Sequence, residues 1–361
     1  MADDPIERWV RPEIRALSAY HVPEAAGLIK LDAMENPYTW PEALRREWAA
    51  VMEGVDVNRY PDPQATALKA RLREAWPVPE GAALLLGNGS DEIIQMIALT
   101  LAAPGSCILS VEPGFVMYRM IAAYASMDYH GVPLRGEDFG LDMPALLEAV
   151  ARLRPSVIFV ACPNNPTGNL FDPAQVRALI EAAPGLVVVD EAYAPFTDAS
   201  FLPEVGRWPN LVVMRTVSKM GLAGLRLGVL AGPAAWVEEI DKVRLPYNIN
   251  TLTQVSADFA LRHKAVFDDQ TRCIRADRTA LFDALRGIDG LHPWPSEANF
   301  ILVRGPRGCA GEIHHRLQAE AGILVKNLHG AHPLLADCLR LTVGTPEENA
   351  ALIDALKRIV A

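Results

Sequence analysis

The chain has 361 residues, 50 % hydrophobic and 22 % charged, which is too long for one ordinary core and is the balance of a soluble globular protein. Its 34 Lys and Arg against 44 Asp and Glu leave a formal charge of −10, so neither nucleic acid nor an anionic membrane surface is the expected partner. Five scattered cysteines without a CxxC spacing indicate free thiols in a reducing cytoplasm, not a zinc cluster or a redox pair.

The opening MADDPIERW has no apolar h-region and does not read as a secretory signal. Residues 1–50 carry no core of their own and are expected to form an arm that packs on a smaller domain or on a partner subunit. A strand is predicted over 82–86, ending in Gly87-Asn88-Gly89, and a helix follows with Ser90 as N-cap and Asp91 and Glu92 in its first turn. The longest apolar stretch, 93–109, is interrupted by Gln95, Pro104, Gly105 and Ser106, so it reads as a buried helix running into a strand and not as a membrane span. Apolar runs at 107–111, 157–161, 186–189 and 211–214 are four or five residues long and lack polar alternation, as strands covered on both faces do. Amphipathic stretches at 143–153 and 173–183 supply the crossovers. The expected fold class is therefore α/β, a mostly parallel central sheet flanked by helices, over 51–255. A long helix over 253–285, strands over 299–303 and 338–343, and helices over 311–321 and 346–359 then predict a smaller α+β domain, 256–361.

Ligands of open α/β sheets bind at the carboxyl ends of the strands, and the chemistry-bearing loops follow strands here. The run 186–189 ends in Asp190-Glu191-Ala192-Tyr193, and a carboxylate there needs a cation or a metal, or is a helix cap or a structural salt-bridge partner. The run 211–214 leads to Thr216, Ser218 and Lys219, then through a glycine-rich turn to Arg226; this suits either a phosphate site or a lysine exposed in a turn. Cys162-Pro163-Asn164-Asn165-Pro166-Thr167-Gly168 is rich in turn residues. Gly89-Ser90-Asp91 lies where a strand meets a helix N-terminus, a natural anion cradle. His329 and His332 have no acidic ligand nearby in sequence, so no metal site is indicated.

Taken in order, the segments MENPY (34–38), NRYPDP (58–63), GNGSDEII (87–94), EPGFVMY (112–118), NNPTGN (164–169), DEAY (190–193), TVSK (216–219), GLAGLRLG (221–228), EANFIL (297–302) and CLRLTVGTPEEN (338–349) resemble the fold type I pyridoxal-phosphate-dependent aminotransferases, and among these most the histidinol-phosphate aminotransferases. The resemblance implies pyridoxal 5′-phosphate held as a Schiff base on Lys219, which also moves the proton. It implies Asp190 against the pyridine nitrogen, Asn165 and Tyr193 on the ring hydroxyl, and Tyr118 stacked on the ring face. Ser90, Asp91, Thr216, Ser218 and Arg226 are implied at the phosphate, and Tyr60 at the phosphate of a neighbouring subunit's cofactor, hence a homodimer with shared sites. Arg340 is implied as the carboxylate-binding arginine for glutamate and 2-oxoglutarate, with Tyr20 and Asn36 lining the substrate pocket. The implied reaction is ping-pong transamination of L-histidinol phosphate; a broad aromatic aminotransferase or a threonine-phosphate decarboxylase on the same scaffold are the neighbouring possibilities. Two departures stand out: Lys326 occupies the place of the family's usual phosphate-binding arginine in Leu324-Val325-Lys326-Asn327, and Lys219 and Arg226 are one residue closer than in many relatives.

Overall fold

Unbroken runs of Val, Ile and Leu are stable as strands only when both faces are covered, and that requirement organises this molecule. A computed structural model describes residues 4–19 and 22–360, and two sheets form among the described residues. The arm contributes β1 (Ile29–Leu31), after which the chain builds β2 (Ala83–Asn88), β3 (Cys107–Glu112), β4 (Asp128–Pro133), β5 (Val157–Ala161), β6 (Leu186–Asp190), β7 (Leu211–Thr216) and β8 (Leu227–Gly232). These last seven form one sheet in the order β2-β8-β7-β6-β5-β3-β4, parallel except for β8, which runs antiparallel to both β2 and β7. Alternate residues of one strand enter different cores. Val187 and Val189 join the cluster on one face with Leu84 and Leu86, while Val188 joins the other with Leu85, Ile93 and Ile97.

The second sheet is β1-β11-β12-β10-β9, from β9 (His292–Pro293), β10 (Phe300–Arg304), β11 (Ile323–Asn327) and β12 (Cys338–Thr342). β1 pairs in parallel with β11, so the arm is stitched into this sheet by backbone ladder bonds instead of merely resting on it. A third apolar cluster, with Phe300, Ile301, Leu317, Leu341 and Leu352, lies beneath it.

Two local expectations need correction. The single helix expected over 253–285 is two helices, Thr251–Arg262 and Lys264–Arg286, broken at His263 with φ −102° and ψ 26°. Ala257, Phe259 and Ala260 of the first helix and Phe267 of the second enter the core of the seven-stranded sheet, and further along the second helix Ile274, Leu281 and Leu285 enter that of the five-stranded sheet. The helix expected to be capped by Ser90 instead starts at that residue (Ser90–Leu101), with Gly89 at the cap position, φ 86° and ψ 166°. A non-glycine residue is strained there, and a Cβ on Gly89 would run into the Arg226 guanidinium.

Because β8 is the one antiparallel strand of a sheet otherwise held by crossovers, its central Leu230, fully buried, carries packing on the Ile93 side. Leu230→Ala should lower unfolding free energy by about 2–5 kcal/mol in urea denaturation. A loss below about 1 kcal/mol would mean that the site collapses around the cavity and that this strand is not a packing keystone.

Candidate active site

Three neighbouring strand ends and one helix N-terminus converge on a cavity of about 120 Å³ at the carboxyl edge of the seven-stranded sheet. Asp190 is the last residue of β6 and is 4 % exposed. Its Oδ1 accepts from the Ala192 N–H at 3.0 Å and its Oδ2 from the Tyr118 hydroxyl at 2.6 Å. Burial pushes its carboxyl up to about 6, against the opposing pull of those two donors. Lys219 follows β7 in a short 3-10 turn, Ser218–Met220, and donates from Nζ to the Ala33 carbonyl at 3.2 Å. Burial first, and the Arg340 charge second, bring the amine down to about 8. The cavity thus contains an acid and a base whose proton affinities have both moved toward neutrality, the pattern of working groups more than of structural ones.

At the other end lie Ser90, Asp91, Thr216, Ser218 and Arg226. Thr216 Oγ1 sits 2.8 Å from Ser218 Oγ and 3.0 Å from the Leu227 carbonyl, which fixes both hydroxyls in the turn. Arg226 adopts a left-handed conformation, φ 49°, after the short turn Ala223–Leu225, and its Nη2 comes within 3.7 Å of Asp91 Oδ2. The shortened spacing from Lys219 therefore still delivers the guanidinium to the helix N-terminus. Asp91 Oδ1 is buried without a hydrogen-bond partner; as an acceptor it offers an anion nothing, and the donors of the cradle are the helix N–H groups, the two hydroxyls and Arg226. On the wall, Asn165 Nδ2 donates to the Tyr193 hydroxyl at 3.1 Å, and Asn165 Oδ1 accepts from Arg340 Nη1 at 2.6 Å.

A larger cavity of about 440 Å³ adjoins this one, and the two share Met34, Phe115 and Asn165. Its far side carries Arg340, Lys326, Arg119, His332 and Glu112. Lys326 and Arg340 are directly opposed across the β11–β12 ladder. Like charges in that register repel, an arrangement that an anion between them relieves.

The family model described as aminotransferase class I and II matches residues 26–356. The chain belongs to the class I and II aminotransferases. A relative from Nitrosococcus oceani named histidinol-phosphate aminotransferase 2 is 54 % identical, over 99 % of this chain and 99 % of its own. One from Chromobacterium violaceum named histidinol-phosphate aminotransferase is 52 % identical, over 98 % of each. The crystal structure of histidinol-phosphate aminotransferase from Sinorhizobium meliloti in complex with pyridoxal-5′-phosphate matches with a TM-score of 0.87 at 25 % identity, covering 98 % of this chain and 97 % of that one.

Against the aminotransferase expectations, the structure gathers Ser90, Asp91, Asn165, Asp190, Tyr193, Thr216, Ser218, Lys219 and Arg226 around one cavity, with Arg340 and Lys326 on the adjoining one. Tyr118 is a correction. Its ring is fully buried and stacks on Phe159, 4.7 Å between centroids, so it lies behind Asp190 and offers no face to the cavity. The aromatic wall is Phe115, which the sequence reasoning passed over although it lies in the same segment, at the cap position of the helix Val116–Tyr124. Asn36 is another correction: it lines neither cavity, and its Nδ2 donates to the Met220 carbonyl at 3.1 Å and to Gln270 Oε1, bracing the turn that holds Lys219. Tyr60 is 80 % exposed and stacks on Tyr247 with 4.4 Å between centroids, away from both cavities of its own chain. Tyr20 lies outside the described residues.

The fit to pyridoxal phosphate is chemical: an amine for its aldehyde, a carboxylate for its ring nitrogen, an amide and a phenol for its ring hydroxyl, and a glycine-opened helix N-terminus with hydroxyls and a guanidinium for its phosphate. Because the neutral amine is the nucleophile, covalent capture of pyridoxal phosphate by the apo-protein should speed up as pH rises through about 8. Stopped-flow absorbance checks this, and a rate that is flat from about pH 7 to about pH 9 would contradict the lowered Lys219 value.

Proposed function

We propose that the protein transaminates L-histidinol phosphate with 2-oxoglutarate, giving imidazole-acetol phosphate and L-glutamate, a reaction of histidine biosynthesis. The observation that carries this reading is the second cavity. A chain with a net charge of −10 sets Lys326 and Arg340 side by side at one opening beside Lys219, with Arg119 paired to Glu112 on the same wall, as a substrate with a phosphate or a second carboxylate requires. The names of the relatives at about half identity over the whole chain support the same donor.

Pyridoxal phosphate, when bound, supplies the electron sink for the Cα–H bonding pair and the carbon that accepts and returns the amino group. The chain's residues do the rest. Lys219 Nζ would hold the cofactor and, once displaced by the substrate amine, would be the base that takes the substrate Cα proton and carries it for the return step. Asp190 holds the proton on the ring nitrogen, and Asn165 with Tyr193 holds the ring hydroxyl. Ser90 and Asp91, through the N–H groups of the helix N-terminus, would anchor the phosphate with Thr216, Ser218 and Arg226, and Phe115 would close the ring's side of the cavity. Arg340 binds the carboxylate of glutamate and 2-oxoglutarate through its planar fork, oriented by its bonds to Asn165 and the Asp32 carbonyl. Lys326 would meet the donor's phosphate as a point charge.

Assembly as a homodimer with shared sites is part of the proposal. Tyr60 and Tyr247 form an exposed stacked pair, with Val57, Leu245 and Leu252 exposed in the same two segments, a surface suited to a second copy that receives Tyr60 at its cofactor phosphate. The reading also places the enzyme in the cytoplasm, where its small-molecule substrates are found; no helix among the described residues is long and apolar enough to cross a membrane.

Mixed with L-histidinol phosphate and no keto acid, the holoenzyme should release one imidazole-acetol phosphate per cofactor; preferential reaction with phenylalanine, or release of carbon dioxide from threonine phosphate, would overturn the donor. Lys219→Ala should abolish turnover at saturating substrate. Lys326→Met should cut kcat/KM for the phosphorylated donor by about 10- to 100-fold while leaving phenylalanine unchanged, since a charged contact is worth about 1.5–3 kcal/mol. An equal loss for both donors would place Lys326 away from the phosphate.

A further inference from the structure

Behind Asp190 stands a group that touches neither cavity. Tyr118 belongs to the helix Val116–Tyr124, is 1 % exposed, and is clamped between Phe159, stacked at 16° to its ring, and Phe115, edge-on at 5.5 Å. So held, it can present its hydroxyl in one direction only, and that hydroxyl ends 2.6 Å from Asp190 Oδ2. The distance is short for O–H···O, as a charge-assisted bond to a carboxylate is. Burial and the neighbouring carboxylate push the phenol well above its ordinary range, so it remains a neutral donor. The second Asp190 oxygen is satisfied by the Ala192 amide. Each oxygen therefore receives one protein donor and keeps acceptor capacity for the cavity.

The geometry points to Tyr118 as a positioning residue that aims the Asp190 carboxylate and lowers its proton affinity, so that the shared proton rests on the cofactor's ring nitrogen and not on Asp190. This deepens the reading of Asp190 given above and rests on it. Desolvation alone favours the neutral acid, and Asp91 and Glu191 push the same way. A carboxylic acid facing a neutral pyridine would deprive the ring of its pull on the Cα–H pair. The opposing contributions to Asp190 include the Tyr118 hydroxyl and the Ala192 amide, and of these only the hydroxyl can be deleted without altering the backbone. Tyr118→Phe removes one oxygen atom and keeps the ring on Phe159.

The test is the 15N resonance of holoenzyme loaded with ring-15N pyridoxal phosphate, recorded for the parent and for Asp190→Asn, Tyr118→Phe and Phe159→Leu. The parent should show a protonated ring nitrogen and Asp190→Asn an unprotonated one. Tyr118→Phe should move the resonance from the parent position toward that of Asp190→Asn and lower kcat about tenfold or more, as loss of a bond to a charged group does. Phe159→Leu, which loosens the stack but keeps the hydroxyl, should shift the resonance less than Tyr118→Phe does. If the parent and Asp190→Asn coincide, the assignment of Asp190 itself falls. If these two differ while Tyr118→Phe matches the parent, or if Phe159→Leu moves as far as Tyr118→Phe, the role of the hydroxyl is overturned and Asp190's is not.

Discussion

Holding a carboxylate and an amine out of water within one cavity is the constraint on which this molecule is built. Neither Asp190 nor Lys219 would be tolerated there for stability alone: desolvating an ionised group costs several kcal/mol, and both groups respond by moving toward neutrality. The two sit at or just beyond the carboxyl ends of adjacent parallel strands, β6 and β7, paired in register from Val187↔Leu211 to Asp190↔Met214. That ladder, with apolar clusters on both faces, supplies the rigidity that keeps the unfavourable pair in place. Groups on loops alone would relax into solvent.

The second sheet completes the site from across the cleft. β12 carries Arg340 to Asn165, a residue of the first sheet's loops, so one guanidinium ties the two layers where the two cavities meet. Backbone groups of the arm take part as well. The Asp32 carbonyl accepts from Arg340 and the Ala33 carbonyl from Lys219, both just after β1, which the β11 pairing holds in position. The arm, which has no core of its own, is thereby made part of the catalytic geometry. The positive groups that result are local, set in a chain that is acidic overall, and this focuses an anion on one opening instead of spreading it over the surface.

Much of this could be read before any coordinates were known. The buried strands β3, β5, β6 and β7 are apolar without alternation, and the reactive residues follow them directly, so strand ends and chemistry were legible together. The edge strand β4 was not, because Asp128, Tyr129 and His130 carry no apolar run. β8 was hidden as well, since its outer glycines Gly228 and Gly232 read as turn. Direction was the harder quantity. Phe115 and Tyr118 lie three residues apart at the start of one helix, and only the angle at which that helix meets the sheet decides which ring faces the cavity and which lies behind Asp190. Asn36 shows the same limit: its segment runs past the site, yet its amide turns to the Met220 carbonyl. The break at His263 was not legible either, because no proline or glycine marks it in the sequence.

The covalent assignment is open to one direct measurement. Holoprotein reduced with borohydride, digested and mapped by mass spectrometry should yield a single phosphopyridoxyl peptide, modified at Lys219. A modification found instead on Lys326, or no modified peptide from protein shown to contain cofactor, would contradict the placement of the amine and with it the reading of the cavity as an aminotransferase site.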